Sequence, residues 1–373
     1  VLPKTDRISV KLSGRNYDAI ISRGLIKTAG KILRSLLTGD PRLFVVTVPR
    51  VRRIWGKTLE ISLKTAKFSP QFVEMPDGES HKRLATVEVL AEKLTRSGAD
   101  RNSVILALGG GVVGDVAGML ASLYMRGVNL IQIPTTLLAQ VDASIGGKTG
   151  VNLRTGKNLL GTFHQPLGVL IDPLVLSTLP DREFRAGLYE SLKCGVIGNA
   201  ELFRRLENVS VKALREDSNA LEWVITESVR LKAKVVSADE REAGLRRILN
   251  FGHTIGHALE AESAYKTFLH GEAVAWGMMA AASIASNIGT LSQSNADRII
   301  RSITVLGNLP RVTAKTSKII DLLQTDKKTS DGEIHFVLPT KIGRVEIVNR
   351  VPEAAIRKAV DGLRVGSRSI ASN

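Results

Sequence analysis

The 373-residue sequence predicts a doubly wound α/β half followed by a largely helical half. Three observations carry this expectation. Short β-branched runs alternate with helical patterns through the first half. One of these runs, Val104–Leu108, leads straight into Gly109-Gly110-Gly111-Val112-Val113-Gly114-Asp115 and an apolar helix. From Pro180 glycine thins out and long helical periodicities take over, so the expected domains are residues 1–180 and 181–373.

In order, Ile8–Leu12 and Tyr17–Ile21 read as strands around the turn Ser13-Gly14-Arg15, and Leu25–Leu37 as a helix. Leu43–Thr47 is an apolar, β-branched run with the pattern of a buried strand. A helix and a strand at Phe72–Met75 continue the alternation. Pro76–Glu79 is a turn, and Ser80 is expected to cap a helix over His81–Ser97. Val104–Leu108, Asn129–Ile133 and Leu167–Asp172 complete the strands of this half. The second half reads as helices over Arg182–Cys194, Glu201–Glu207, Ala220–Ser237, Phe251–Glu260, Glu272–Ile288 and Asn295–Leu306. A ribbon (Ile334–Leu338, Arg344–Val348) and a helix from Pro352 close it.

Composition is that of an ordinary globular chain, 43% hydrophobic and 24% charged. The single cysteine, Cys194, excludes a disulfide framework and fits a reducing compartment. No apolar run is long enough to span a membrane, and Val1–Asp6 has no apolar signal core, so the expected location is cytoplasmic. The formal charge of +16 admits a nucleic-acid partner or a polyanionic small molecule. Aromatics at 4%, scattered basic residues and the lack of a nucleic-acid motif argue against the former. Most of the excess is expected to be solvated surface.

Gly109, Gly111 and Gly114 satisfy G-x-G-x-x-G between a strand and a helix, where a backbone free of side chains can approach a pyrophosphate at the helix N-terminus. No acidic residue follows about 20 positions on, as the fingerprint expects, so close helix–sheet packing stays the alternative. Pro134-Thr135-Thr136 places two hydroxyls at a strand's carboxyl end. Gly147-Lys148-Thr149 is not a P-loop: Asp142 stands where a glycine is required, and no strand leads in. A glycine-rich loop with a lysine still suits phosphate, and Lys157-Asn158 follows on a second glycine turn. Glu190 and Lys193 sit one turn apart, a spacing that is usually a surface ion pair. Gly187, Tyr189 and Cys194 on the same helix point to partial burial.

Arg246, Asn250, His253 and His257 are spaced 4, 3 and 4 apart, and form one stripe if the segment is helical. A solvated face is the plain interpretation. Two neutral imidazoles one turn apart can also grip a divalent cation. Thr254 stands where a zinc peptidase needs Glu. His270, 13 residues beyond His257 and ahead of an apolar helix, is a candidate third ligand.

Together these motifs, with Tyr124-Met125-Arg126-Gly127, Val141-Asp142 through Asn152, Leu249-Asn250-Phe251-Gly252-His253, His270-Gly271-Glu272 and Asp326-Lys327-Lys328, resemble the 3-dehydroquinate synthase family over residues 70–350. The resemblance implies an α/β N-terminal Rossmann-like NAD-binding domain and a largely α-helical C-terminal metal- and substrate-binding domain, with the site in the cleft between. It implies conversion of 3-deoxy-D-arabino-heptulosonate 7-phosphate to 3-dehydroquinate and phosphate, the second step of the shikimate route to aromatic amino acids. The route is transient NAD-dependent oxidation, phosphate elimination, reduction, ring opening and aldol closure. A 2-deoxy-scyllo-inosose or valiolone-type synthase is the alternative on the same framework, and a polyol dehydrogenase of the glycerol dehydrogenase type is a further one.

By matching position, the resemblance makes Glu190, His253 and His270 ligands of a divalent metal, Zn²⁺ or Co²⁺. His257 then becomes an acid/base or substrate group, with Glu242 a second acid/base position. Arg126, Asp142, Lys148, Asn158, Lys193, Lys232, Arg246, Asn250 and one of Lys327 and Lys328 match substrate positions; Lys148 and Arg246 also count as catalytic. Glu79 to Lys82, Gly110, Gly111, Val112, Asp115, Thr135, Thr136 and Lys157 match NAD positions. Val48-Pro49 departs from the Asp or Asn common in the family for the adenine ribose, and Tyr189 and Ser191 replace smaller or aliphatic residues beside Glu190. The expected partner is an anionic sugar phosphate, with no nucleic acid and no membrane, and family analogy implies a homodimer.

Overall fold

The computed structural model describes residues 5–327 and 334–370. The chain divides into two compact units, one of Val1–Leu179 with Lys232–Glu240, the other of Pro180–Leu231 with Arg241–Asn373.

The first unit is an α/β layer structure. Its strands are β1 (Asp6–Val10), β2 (Tyr17–Ile21), β3 (Leu43–Thr47), β4 (Pro70–Glu74), β5 (Val104–Gly109), β6 (Asn129–Pro134), β7 (Lys148–Leu153), β8 (Gly156–Phe163) and β9 (Gly168–Ile171). Seven form one sheet in the order β1-β2-β9-β6-β5-β3-β4, and β7 pairs with β8 as a separate hairpin. Only β1 and β2 are antiparallel within the large sheet. β3 and β5 are buried along their whole length, as strands covered on both faces must be. β4 is an edge: it opens on Pro70 and only Val73 is buried. The chain leaves β3 for β4 on one side and returns to β5 on the other. The strand order therefore reverses between β3 and β5, where open parallel sheets bind ligands beyond their carboxyl ends.

Three local expectations shift. β1 ends at Val10, because the Leu12 N–H turns to Asn16 Oδ1 (2.8 Å) and the Lys11 N–H to Ser237 Oγ (2.9 Å). Ser80 is no helix cap: it lies in a 3₁₀ turn (Glu79–His81), and the helix starts at Leu84. The cause is Lys82, whose carbonyl accepts the Asn152 N–H at 2.7 Å and whose ammonium is drawn to Asp115 and Asn158. Lys148 begins a strand of the β7–β8 hairpin, and Lys157 and Asn158 lie on its second strand, so the glycine turns are parts of a ribbon.

The second unit is helical. Its longer helices are Asp181–Gly198, Ser218–Ala238 (counted with the first unit from Lys232), His253–Glu262, His270–Asn287, Gln293–Leu306, Thr316–Lys327 and Glu353–Ile370, beside the ribbon β10 (Phe336–Lys341) and β11 (Arg344–Val348). The helix His270–Asn287 is apolar on every side and almost wholly buried, with Trp276 and Met278 at its centre. The helix His253–Glu262 meets it through glycine. A Cβ on Gly277 would lie 1.8 Å from the Gly252 carbonyl oxygen, so no other residue lets the backbones come this close.

That contact breaks the predicted stripe. Leu245–Asn250 is a 3₁₀ helix, Gly252 turns left-handed (φ 82°), and the α-helix starts only at His253. Arg246 and Asn250 therefore belong to a separate turn. The residues that share one helical face are His253, His257 and Glu260, at i, i+4 and i+7.

Candidate functional site

The second unit gathers a set of donors that could hold a metal ion. Glu190 comes from the middle of Asp181–Gly198, His253 from the first residue of its helix, and His270 from the first residue of the apolar helix. One potential ligand atom from each lies within 4.8 Å of the other two. His270 Nε2 is 3.8 Å from Glu190 Oε1. The His253 and His257 rings stand edge to face with centroids 5.2 Å apart, and His257 is 5.9 Å from His270.

The donor set fits a divalent metal. Glu190 is fully buried, and the Lys193 ammonium one turn along the same helix is its ion-pair partner through Oε2. The Lys193 contact is on Oε2, so Oε1, which faces His270 Nε2 at 3.8 Å, can serve a cation. His253 Nδ1 lies 3.2 Å from the Phe251 carbonyl oxygen. A carbonyl only accepts, so Nδ1 carries the proton and Nε2 keeps its lone pair for a cation. One carboxylate and two imidazoles form a usual catalytic zinc set with positions left for oxygen ligands.

Around it, Arg246 (2% exposed) is buried, and Asn250 donates from Nδ2 to Glu242 Oε1 at 2.9 Å. Glu242 holds a left-handed backbone (φ 61°). Lys327 is described only as the last residue of its helix, and Lys328 lies outside the described residues.

The first unit gathers a second group. Lys82 Nζ donates to Asp115 and to Asn158 Oδ1; Asn158 N donates to Asn152 Oδ1 (2.9 Å); Asn152 Nδ2 donates to Glu79 Oε1 (2.7 Å); and Lys157 Nζ is 3.9 Å from the same oxygen. Burial pushes the Asp115 carboxyl above its ordinary range, and the Lys82 ammonium opposes that. The helix Gly111–Leu123 follows β5 with Gly110 at its N-cap and no side-chain cap, so its first N–H groups face outward unshielded by a capping oxygen. Thr136 sits against Gly110, where a Cβ would come within 3.0 Å of its methyl. Thr135 is buried and its N–H donates to the Gly109 carbonyl (2.9 Å). Val112 is partly buried within the first turn of the helix.

This arrangement fits a dinucleotide pyrophosphate at the reversal point of the sheet. The Thr47 hydroxyl, at the carboxyl end of β3, is buried with no hydrogen-bond partner among the described residues. Val48 turns into the apolar cluster with Val46, Val73 and Met75, so it packs core in place of a ribose contact. Nearby, Lys232 Nζ reaches both the Asp142 carboxylate and its carbonyl at 2.6 Å. Arg126 is exposed in a turn with a left-handed backbone (φ 67°).

Sequence reasoning missed three members. Asn152 links Glu79 to Asn158. Glu260 contacts His270 Nδ1 at 3.4 Å, a role its i+7 spacing from His253 could have signalled. Arg182 makes a two-point contact with Glu272 at the start of the His270 helix (2.7 and 2.8 Å), which has no signal in spacing.

Two family models match the chain: 3-dehydroquinate synthase N-terminal over residues 72–186 and 3-dehydroquinate synthase C-terminal over residues 187–329. A 3-dehydroquinate synthase of Koribacter versatilis is 53% identical over 359 residues, covering 96% of this chain and 98% of the relative. Among solved structures, ValA, the 2-epi-5-epi-valiolone synthase of Streptomyces hygroscopicus subsp. jinggangensis with NAD⁺ and Zn²⁺ bound, is 33% identical with a TM-score of 0.87, covering 95% of this chain and 98% of that one. A 2-deoxy-scyllo-inosose synthase complexed with carbaglucose-6-phosphate, NAD⁺ and Co²⁺ is 26% identical with a TM-score of 0.82, covering 96% and 99%.

Proposed function

The chain belongs to the 3-dehydroquinate synthase family, and on that premise we propose that it converts 3-deoxy-D-arabino-heptulosonate 7-phosphate to 3-dehydroquinate and phosphate. It is an NAD- and metal-dependent lyase of the shikimate pathway. Full-length identity to a 3-dehydroquinate synthase, well above that to ValA, carries the choice of substrate.

When bound, NAD⁺ supplies a reversible hydride acceptor, and the divalent cation, Zn²⁺ or Co²⁺, supplies a Lewis acid for the substrate's hydroxyl and carbonyl oxygens. Glu190, His253 and His270 hold the cation. The open helix start at Gly110, Gly111 and Val112 takes the pyrophosphate, with Thr135 and Thr136 beside it. Glu79, Lys82, Asp115 and Lys157 hold the rest of the cofactor. The substrate carries a phosphate and a carboxylate, which Arg126, Lys148, Lys193, Lys232, Arg246 and one of Lys327 and Lys328 neutralise. Asp142, Asn158 and Asn250 orient its hydroxyls. A ring nitrogen of His257 moves protons, supported by its exposed place beside both ligand histidines. A Glu242 oxygen, held by Asn250, is the second proton station.

No helix among the described residues is long and apolar enough to cross a membrane. The single cysteine, Cys194, is free and buried, which supports a reducing compartment such as the cytoplasm. A homodimer is supported by family analogy and by exposed Leu159 and Phe163 on β8.

The test offers three substrates to the metal-loaded protein with NAD⁺. Phosphate and 3-dehydroquinate should form from 3-deoxy-D-arabino-heptulosonate 7-phosphate alone. Turnover confined to sedoheptulose 7-phosphate or to glucose 6-phosphate would reassign the chain to a valiolone-type or inosose-type synthase.

A further inference from the structure

The described residues hold two overlapping donor groups, not one. Glu190, His253 and His270 form the first; His257, Glu260 and His270 form the second. His270 is common to both, and its two ring nitrogens point different ways. Nε2 faces Glu190 (3.8 Å), and Nδ1 faces Glu260 Oε2 (3.4 Å). Glu260 is a buried carboxylate, with 2% of its side chain exposed, two turns along the helix that begins at His253.

We propose that Glu260 is a positioning residue: its carboxylate holds the proton of His270 on Nδ1 and so presents Nε2 as the ligand atom beside Glu190 and His253. This rests on the reading of those three residues as the metal site. Three points carry it. A neutral imidazole carries one proton, and the nitrogen that bears it is set by the neighbour that can accept it. Glu260 is acceptor-only when ionised, so its contact with Nδ1 requires the proton there. His253 is treated alike by a different acceptor, the Phe251 carbonyl, so both imidazoles offer Nε2. A carboxylate behind a ligand imidazole also raises its basicity and fixes the ring plane.

The rival use of the second group, a separate cation on His257, Glu260 and His270, would require one imidazole to bind two cations at once. That demands a ring stripped of both protons, while Glu260 already supplies an acceptor for one of them.

The test compares the parent with Glu260→Gln, which keeps the volume and drops the charge, and Glu260→Leu, which removes the acceptor. Zinc affinity is read by competition with a chelating dye, zinc stoichiometry by metal analysis, and the His270 tautomer by ¹⁵N NMR of the metal-free protein. Zinc affinity should fall about 10-fold in Glu260→Gln and towards 100-fold in Glu260→Leu, with Glu260→Asp nearer the parent. The metal-free parent should show His270 protonated on Nδ1, and Glu260→Leu should lose that preference. Should Glu260→Leu fail to fold, Glu260→Gln and the parent tautomer still decide. Unchanged zinc affinity and tautomer in folded Glu260→Gln, or protonation of His270 on Nε2 in the parent, would overturn the assignment. A parent that binds two zinc ions, one of them lost in Glu260→Gln with the other unaltered, would make Glu260 a ligand. A parent that binds no zinc would sink the metal-site reading itself.

Discussion

Glu190 and Lys193 lie one turn apart on a single helix, and each keeps only 1% of its side chain exposed. An i,i+3 pair on a surface contributes little, but a buried pair is costly to break, because the survivor is left charged and dry. Lys193→Met should lower the stability of the metal-free protein by about 3 kcal/mol. Added zinc should stabilise the variant more than the parent, since a cation on Glu190 replaces the lost charge. Denaturant titrations with and without zinc check this; a deficit that zinc leaves untouched would separate Glu190 from metal binding.

Glu272 anchors the helix that opens with His270. Its Oε2 accepts the Leu269 N–H at 2.8 Å and its two oxygens meet Arg182, whose guanidinium it holds more firmly protonated than usual. Arg182 is 55% exposed, so Arg182→Met should cost only about 1 kcal/mol after screening by water. Glu272→Ala, which also frees the N-cap amide, should cost about 2 kcal/mol. Equal losses in the two denaturation midpoints would mean that the ion pair, not the cap, matters.

Gly277→Ala places a methyl 1.8 Å from the Gly252 carbonyl and should cost about 3 kcal/mol by forcing two helices apart. Gly362→Ala is the control: nothing lies within 4 Å of its new methyl on the helix Glu353–Ile370. That change should gain about 0.5–1 kcal/mol from helix propensity. Thermal melts of the two variants should move in opposite directions.

His164 is held neutral by burial, which lowers its affinity for a proton, while its Nε2–H donates to the Val128 carbonyl at 2.9 Å. The unfolded chain binds the proton more readily, with an ordinary histidine pKa of about 6.5. Stability is therefore full above that value and falls as pH drops from it through the lower folded pKa. His164→Gln should flatten this part of the stability–pH curve. An equally steep curve in the variant would place the acid sensitivity elsewhere.

The parallel sheet was legible because its strands are buried on both faces and read as continuous apolar runs, Leu43–Thr47 and Val104–Leu108 above all. The glycine turn after β5 was legible from its place between a strand and a helix. Boundaries set by distant partners were not. Lys82 interrupts a helix because Asp115 and Asn158, far along the chain, draw it out. The stripe from Arg246 to His257 failed because periodicity assumes a continuous α-helix: Leu245–Asn250 winds as a 3₁₀ helix, Phe251 is non-helical, and Gly252 turns left-handed against Gly277. The association of Glu190 with His253 and His270 has no periodic trace, since three separate helices supply them; motif resemblance supplied it. Glu260 was in plain sight on the histidine face, but a glutamate at helical spacing is usually solvated.

The most direct measurement follows phosphate and NADH together, with 3-deoxy-D-arabino-heptulosonate 7-phosphate in excess, NAD⁺ limiting and zinc present. Many phosphates should be released for each NAD⁺ supplied, with 3-dehydroquinate formed, no NADH accumulating, and all turnover lost in His253→Ala. NADH accumulating in step with product would mark a dehydrogenase. No phosphate from a folded, zinc-loaded protein would contradict the assigned reaction.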